Sequence, residues 1–241
     1  MTLAILSALA QEQEGLLALL QRPRRELRGG REFWRGELHG VPLVLGLSRI
    51  GKVAAATTAT TLIEAFGAQR MVFTGVAGGL APGVQVGDVV VAKEFVQHDM
   101  DASPLFPRYQ VPLYDRERFA CDADLAQALL AASEAGLKRL GLEAEVHHGL
   151  IASGDRFVSA VDEAHALRAT LSEAGHPPLA VEMEGAAVAQ VCHDYALPFA
   201  AVRTISDRAD DAAHVDFSQF VSEVASRYAL VILDEFVRKF D

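Results

Sequence analysis

The chain has 241 residues, of which 51% are hydrophobic and 22% are charged, so it can build a substantial core and is not disordered as a whole. Its formal net charge of −10 argues against a nucleic-acid-binding protein, whose binding face is normally basic. Charge or glycine interrupts every apolar run well before about 18 residues, so no membrane span is expected.

The first elements are a strand and a helix. Residues 3–8 form an apolar run typical of a buried strand, and the sequence turns acidic too soon for a secretory signal. A helix with leucines at positions 16, 17, 19 and 20 follows. The next segment is basic and is punctuated by proline and glycine, which predicts a solvated linker, with a local basic binding site as the alternative. Its arginines are Arg22, Arg24, Arg25, Arg28 and Arg31.

The middle of the chain predicts a hairpin around His39-Gly40, then a buried helix over residues 53–66 that stops at Gly67. RMVFTGVAGGL reads as a strand that ends in a glycine-rich loop, and DVVVAKEFVQHD reads as a second strand. DASPLFPRYQVPLYD contains three prolines and no periodicity, which predicts an ordered surface loop.

Strands and helices continue to alternate in the second half. The predicted helices are residues 124–140, VDEAHALRATLSEAG, GAAVAQVCHDYA and 217–240, and the predicted strands lie in GLIASGDRF, LAVEM and FAAVRTISD. This alternation predicts an α/β fold, a single domain over residues 1–241 with a mixed, mostly parallel central sheet flanked by helices.

Glycines and carboxylates follow the predicted strands, where open α/β sheets bind their ligands. The segments are residues 10–14, 75–79, 153–157, 183–185 and 206–207. TGVAGGL is either an anion-binding nest or a tight turn into a helix, and it lacks the lysine and hydroxyl of a nucleotide-binding P-loop.

The acidic residues each allow two interpretations. Glu184 is either a favourable charge at a helix N-terminus or a ligand for vicinal sugar hydroxyls. Glu182 either lies on the same side as Glu184, if the strand continues that far, or pairs with an arginine, of which Arg203 is the obvious one. Asp207 is either solvated or a general acid with a pKa raised by burial, and Glu12 either caps a helix or acts chemically.

Metal and disulfide sites are not expected. Cys121 and Cys192 lack the spacing of a metal or redox pair, which favours a reduced, intracellular setting and a cytoplasmic protein. His98 is followed by Asp99, but no second histidine stands at ligand spacing. No cofactor is predicted.

Several motifs together resemble the 5′-methylthioadenosine/S-adenosylhomocysteine nucleosidases of the purine nucleoside phosphorylase superfamily. They are ILSALAQEQEGLL, SRIGKVAAATTAT, TGVAGGLAPGVQVGDVVVA, GLIASGDRFV, VEMEGAAVAQVC and VRTISDRAD, in family order over nearly the whole chain. The resemblance implies a nucleoside phosphorylase-like fold and irreversible hydrolysis of the N-glycosidic bond of adenine nucleosides, in methionine salvage.

The resemblance also implies roles for individual residues. Glu12 would be the base that activates water, and Asp207 the acid that protonates N7 of adenine. Glu184 would hold the ribose 2′- and 3′-hydroxyls, with Met183 against the sugar, while Phe157 stacks on the purine. The remaining implied positions are Val158 at the purine edge, Ser206 and Arg203 as supports, and Val76, Gly78 and Phe217 in the substrate-binding set.

Some positions depart from the family pattern. Val76 stands where many members have serine, and Arg49 replaces a common glycine and could approach phosphate. In the family, the proline-rich loop reaches across a homodimer to cover the partner's 5′-substituent pocket. Candidates for that role here are Leu105, Phe106 and Pro107.

Three alternatives to this activity stay open. A phosphorylase of the same fold would use phosphate in place of water, but Glu12 would repel a phosphate dianion. A 6-amino-6-deoxyfutalosine nucleosidase of menaquinone synthesis would differ in its 5′-group. A non-catalytic nucleoside-binding protein would typically lack the base or the acid, whereas Glu12, Glu184 and Asp207 are all present.

Overall fold

A computed structural model describes residues 1–208, 220 and 224–240 of the chain. The strands are β1 (Leu3–Ser7), β2 (Gln21–Arg28), β3 (Arg31–Leu38), β4 (Val41–Leu47), β5 (Arg70–Gly79), β6 (Val89–Gln97), β7 (Arg118–Ala120), β8 (Val146–Ser153), β9 (Ala180–Glu182) and β10 (Phe199–Asp207). The helices are α1 (Gln11–Leu19), α2 (Lys52–Glu64), α3 (Ala123–Leu140), α4 (Val161–Glu173), α5 (Gly185–Asp194) and α6 (Ser226–Arg238).

The strands form one mixed sheet in the order β10-β6-β8-β9-β5-β1-β4-β3-β2, with β7 paired to β6. Strand β10 also pairs with β5, so β5, β10, β6, β8 and β9 close into a ring of hydrogen-bonded strands. The ladders β10–β5 and β6–β8 are parallel, whereas the hairpins are antiparallel. The predicted α/β class with a helix-flanked central sheet is confirmed.

Helices cover both faces of the sheet because its strands are apolar on both sides. In β1, Ala4 and Leu6 pack into a core with α2 and α5, whereas Leu3 and Ile5 point the other way. That second core contains the apolar faces of α1, α3 and α6. Successive residues of a strand point to opposite faces, and fully apolar runs are therefore typical of strands buried between helix layers.

The basic segment is a strand and not the predicted linker. Strand β2 pairs antiparallel with β3, and Gly29-Gly30 forms the turn between them. Its side chains are mostly exposed, and Arg25 and Arg28 bond to Glu32 and Glu26. Strand β2 is the last strand in the sheet order, and charged side chains on an edge strand hinder pairing with other chains. A polar, arginine-rich sequence is therefore suited to this strand.

TGVAGGL is neither a nest nor a turn, because β5 continues through Gly79. Its last residues pair with the end of β10. A Cβ atom on Gly79 would lie 3.3 Å from Ile205 and from Val84, so glycine allows the close approach of these segments. The glycines serve close packing beneath the site and do not form an anion-binding loop.

The other predicted elements are observed with shifted ends. Helix α2 stops at Glu64, β8 starts three residues before Gly149, and β7 was not predicted. Residues 101–115 contain only an isolated bridge between Val111 and Arg116, as expected for a surface loop. The predicted start of the last helix at residue 217 lies outside the described residues.

Among the helices that the structure describes, none is both long and apolar enough to cross a bilayer.

Candidate active site

A cavity of about 780 Å³, measured with its open mouth, lies at the carboxyl ends of β1, β5, β8, β9 and β10. All five sequence segments predicted at strand ends contribute to its wall. Glu12 and Asp207 line this same cavity, so the two predicted catalytic residues face one ligand site.

Glu12 lies in the first turn of α1 and is almost completely buried. Its Oε2 accepts hydrogen bonds from the amides of Ala8 and Leu9, at 3.0 and 2.9 Å. Both amides precede the N-cap residue Ala10, so these bonds are not the helix capping considered for Glu12. Its Oε1 is buried and has no hydrogen-bond partner among the described residues, and Glu12 is part of the cavity wall. Burial raises the pKa of Glu12 to about 7, although the backbone amides and Arg203 oppose the shift. A carboxylate of this pKa is suited to accept a proton near neutral pH.

Asp207 ends β10 and is also largely buried. Its Oδ2 accepts a hydrogen bond of 2.7 Å from the Ser206 hydroxyl. The register between β10 and β5 shifts between Ile205 and Asp207, and such an irregularity redirects the side chain at a strand end. Ser206 thus contacts Asp207, and its predicted supporting role stays a prediction.

Glu182 and Arg203 form the predicted ion pair, with 2.9 Å between Oε2 and Nη2. Glu182 also accepts hydrogen bonds from the Ser153 hydroxyl and from the amides of Glu184 and Gly185. Arg203 is 1% exposed and donates to the Phe73 carbonyl. Each charge is thus paired and hydrogen-bonded, which is the condition under which buried ions are tolerated.

We expect Arg203→Met to lower the free energy of unfolding by about 3–5 kcal/mol, because it leaves the Glu182 carboxylate buried and unpaired. Arg25→Met is the matched control, since the Arg25–Glu32 pair is about half exposed and is expected to contribute less than about 1 kcal/mol. Chemical denaturation of both variants measures the difference. If both variants lost the same free energy of unfolding, the buried Glu182–Arg203 pair would contribute no more to stability than the exposed pair.

Glu184 precedes α5 at its N-terminus and lines the cavity beside Glu182. Its Oε1 accepts a hydrogen bond of 2.7 Å from the Gly51 amide. Burial, and then the negative charge of Glu182, raise the pKa of Glu184, whereas Gly51 and Arg203 lower it. A buried carboxylate with few donors gains most from ligand hydroxyl groups, which supply the missing hydrogen bonds.

The rest of the cavity wall is largely apolar. It includes Phe157, whose side chain is 45% exposed at the mouth, together with Val158 and Met183. Val76 and Gly78 contribute from β5. An aromatic ring at the edge of an apolar cleft is suited to stack on a flat heterocycle.

Three predicted site residues that the structure describes do not line this cavity. Leu105, Phe106 and Pro107 lie in the loop of residues 101–115 and do not line it, and Leu105 is 84% exposed. Their predicted role concerns the pocket of a partner chain and stays a prediction. Phe217 lies outside the described residues.

Arg49 does not face the cavity. Its guanidinium donates a 2.6 Å hydrogen bond to the carbonyl of Gly30 in the β2–β3 turn. The interpretation of Arg49 as a phosphate ligand is therefore not supported.

Sequence reasoning missed several lining residues, among them Leu9, Ile50 and Phe73. Ile50 is 60% exposed although apolar, and it lies three residues after the end of β4, a strand end that the sequence analysis did not count among the ligand-binding ones. Including that strand end would have identified Ile50 and the Gly51 amide. The described residues contain no group of three or more His, Cys, Asp or Glu side chains suited to a metal ion.

A family model described as the phosphorylase superfamily matches residues 2–238. The chain belongs to the phosphorylase superfamily. Within this superfamily it is similar to the 5′-methylthioadenosine/S-adenosylhomocysteine nucleosidase of Neisseria meningitidis in complex with methylthio-immucillin-A, with 37% identity, 99% of each chain covered and a TM-score of 0.89. The predicted family resemblance is confirmed.

Two further structures extend the comparison of this superfamily member. The S-adenosylhomocysteine nucleosidase of Streptococcus pyogenes, in complex with 5-methylthiotubericidin, is 35% identical over 100% of this chain and 98% of that one, with a TM-score of 0.87. A futalosine hydrolase mutant of Helicobacter pylori is 31% identical over 100% of both chains, with a TM-score of 0.86. The comparisons support a nucleosidase, a hydrolase that binds small nucleosides.

Proposed function

We propose that this protein hydrolyses the N-glycosidic bond of 5′-methylthioadenosine and S-adenosylhomocysteine, releasing adenine and the 5-substituted ribose. The observation that carries the proposal is the single cavity lined by Glu12, Glu184 and Asp207 together with Phe157. Similarity to nucleosidases with bound analogues supports the substrate class.

The base of the reaction is Glu12. Its Oε1 accepts a proton from the attacking water, while Oε2 stays fixed by the amides of Ala8 and Leu9. A carboxylate with one oxygen held by amides and the other without a hydrogen-bond partner is oriented without losing its capacity to accept a proton.

The acid of the reaction is Asp207. It donates a proton to N7 of adenine as the glycosidic electrons move into the purine, so that adenine leaves as a neutral molecule. The Ser206 hydroxyl bonds to Oδ2 and orients the carboxyl group. Phe157 holds the purine ring by stacking at the cavity mouth.

Glu184 binds the 2′- and 3′-hydroxyls of the ribose. As the bond to adenine breaks, the sugar gains positive charge, and a carboxylate beside it stabilises that charge more in the transition state than in the ground state. Glu184 thus contributes both to binding of the ribose and to the rate at which the bond to adenine breaks.

We expect kcat/KM for methylthioadenosine to fall at least about tenfold per pH unit below about 7, because protonated Glu12 cannot accept a proton and its pKa is about 7. Protonation of Glu184, whose pKa is also raised, would steepen this fall. Above that pH the Glu12 carboxylate is ionised, so Glu12 no longer makes kcat/KM depend on pH. A pH profile at subsaturating substrate measures this. A profile that stays flat from pH 5 to 7 would contradict the assignment of the base.

Adenine release in phosphate-free buffer tests the function itself. Purified protein is expected to release adenine from methylthioadenosine at the same rate with and without added phosphate, and Glu12→Gln prepared in parallel controls for host nucleosidases. Strict dependence on phosphate would favour a phosphorylase. Nucleoside binding with no adenine release would favour a non-catalytic binding protein.

A second candidate is hydrolysis of 6-amino-6-deoxyfutalosine, which similarity to the futalosine hydrolase mutant supports. The same cleft would be used, and only the 5′-group would differ. Comparing kcat/KM for methylthioadenosine, adenosylhomocysteine and aminodeoxyfutalosine on one preparation ranks the substrates.

The assembly we propose is a homodimer in which the loop of residues 101–115 covers the partner's 5′-pocket through Leu105, Phe106 and Pro107. Leu105 is a large apolar residue that is 84% exposed in the single chain, which supports a position where a partner chain covers it. The proposed biological role is methionine salvage and recycling of S-adenosylmethionine products in the cytoplasm.

A further inference from the structure

Three loops beside the cavity are joined by a closed ring of hydrogen bonds. The Lys52 amide donates to Asp155 Oδ1 at 2.7 Å, and the Asp155 amide donates to Asp99 Oδ2 at 2.9 Å. The Lys52 ammonium closes the ring on Asp99 Oδ1 at 2.6 Å. We call Lys52, Asp99 and Asp155 the loop clasp.

The clasp residues hold segments that end in cavity-lining residues. Lys52 follows Gly51, whose amide donates to Glu184, and Asp155 precedes Phe157 by two residues. Asp155 also caps α2, because the N-cap position of that helix is Gly51, which has no side chain to do so. Carboxylates at this helix start, Asp155 and Glu184, are further stabilised by the helix dipole.

The interior of the clasp is tightly packed. A Cβ atom on Gly154 would lie 2.3 Å from Nε2 of His98, so only glycine fits between His98 and the chain. The His98 amide donates to the Ser153 carbonyl, and the Ser153 hydroxyl contacts Glu182. Each residue of Ser153-Gly154-Asp155 therefore has a separate contact that fixes this turn.

Charge strengthens the clasp. Burial raises the pKa of Asp99, but the hydrogen bond from Lys52 and that from the Asp155 amide outweigh it, so its pKa lies below its usual range. Lys52 also donates to Gln97, at 3.0 Å, and its side chain is 16% exposed. An ion pair so enclosed and hydrogen-bonded fixes geometry better than an exposed pair.

We infer that Lys52, Asp99 and Asp155 are positioning residues, which keep the Gly51 amide on Glu184 and so fix the carboxylate that binds the ribose hydroxyls. This inference rests on the proposed function. Without the clasp, the loop that carries Gly51 is free to move away, and Glu184 loses the donor that orients Oε1. The clasp thus acts on the sugar through Glu184 without touching the substrate.

Asp99→Asn tests the inference, because one asparagine cannot accept at both oxygen positions and one bond of the ring must break. The measurement is kcat/KM for methylthioadenosine in two backgrounds, wild type and Glu184→Ala, which has no side-chain acceptor for the Gly51 amide. We expect about a tenfold loss in the wild-type background and less than a twofold further loss in the Glu184→Ala background. Asp124→Asn, an exposed change in the first turn of α3, is the control and is expected to have no effect.

A general folding defect would lower kcat/KM by the same factor in both backgrounds, and that result would overturn the inference. No loss in either background would overturn it as well. If Asp99→Asn does not fold, Lys52→Met carries the same test, with the same expected pattern. Absence of activity in the wild-type protein would instead refute the proposed function, so the two failures are distinguishable.

Discussion

Asp207→Asn is expected to lower kcat for methylthioadenosine by about 10²-fold or more, which is the usual size of a general-acid contribution. Asparagine keeps the shape of the side chain, so it can still meet N7 and the Ser206 hydroxyl. It cannot transfer a proton, and adenine would have to leave as an anion. The measurement is single-turnover release of adenine at saturating substrate.

A second substrate makes the test of the acid specific. A 5-methylthioribosyl compound with 4-nitrophenolate as the leaving group needs no protonation, and its cleavage should lose much less than that of methylthioadenosine. Ser206→Ala is the control for geometry, because it removes only the hydroxyl that bonds to Oδ2, and a smaller loss is expected. A normal rate of adenine release by Asp207→Asn would rule out its role as the acid.

Glu12→Gln is expected to lower kcat by about 10²–10⁴-fold, because the amide cannot accept the proton of the attacking water. The glutamine carbonyl oxygen can still accept the amides of Ala8 and Leu9, so the local fold is kept. Substrate affinity, measured by calorimetry on the inactive variant, should stay within a fewfold of the wild-type value. A large loss of affinity with little loss of kcat would assign Glu12 to binding.

The same substitution is expected to stabilise the free protein above neutral pH. The pKa of Glu12 is raised from 4.5 to about 7, so the folded state holds the proton more tightly and loses stability as pH rises between these values. The shift corresponds to about 3 kcal/mol at most above pH 7. Thermal melts should therefore show Glu12→Gln above wild type at pH 8 and close to it below pH 4.5. A lower melting temperature at pH 8 would contradict this account of the buried charge.

The sequence predicts the element order well because its strands are apolar and its helices end at glycines such as Gly67 and Gly175. It predicts the strand-end segments of the site because parallel strands deliver their carboxyl ends to one edge. Arg203 could be predicted as the partner of Glu182 because it is the cation in the next predicted strand along the chain, FAAVRTISD, although β9 and β10 are not paired in the sheet. The individual catalytic roles come from the family resemblance and not from pattern.

Other features depend on tertiary contacts that no local pattern encodes. The arginine-rich sequence of β2 resembles a linker because it has no apolar face. Its strand is stabilised instead by pairing with β3. TGVAGGL reads as a loop, since glycine favours turns, whereas here it allows β5 and β10 to approach closely. Contacts between side chains far apart in the chain, such as Lys52 and Asp99, leave no trace in spacing.

The ring formed by β5, β10, β6, β8 and β9 has a consequence for how substrate range can diversify. Each of these strands is hydrogen-bonded to neighbours on two sides, so Glu182 and Asp207 sit on a frame that resists distortion. Residues 101–115 are not part of that ring: Tyr109 and Val111 anchor the segment in two hydrophobic clusters and Tyr114 bonds to Asp194, whereas the part around Leu105 is exposed. Grafting this segment from a relative should alter tolerance for bulky 5′-groups while leaving the bond-breaking step intact, which makes the loop the natural target for redesign.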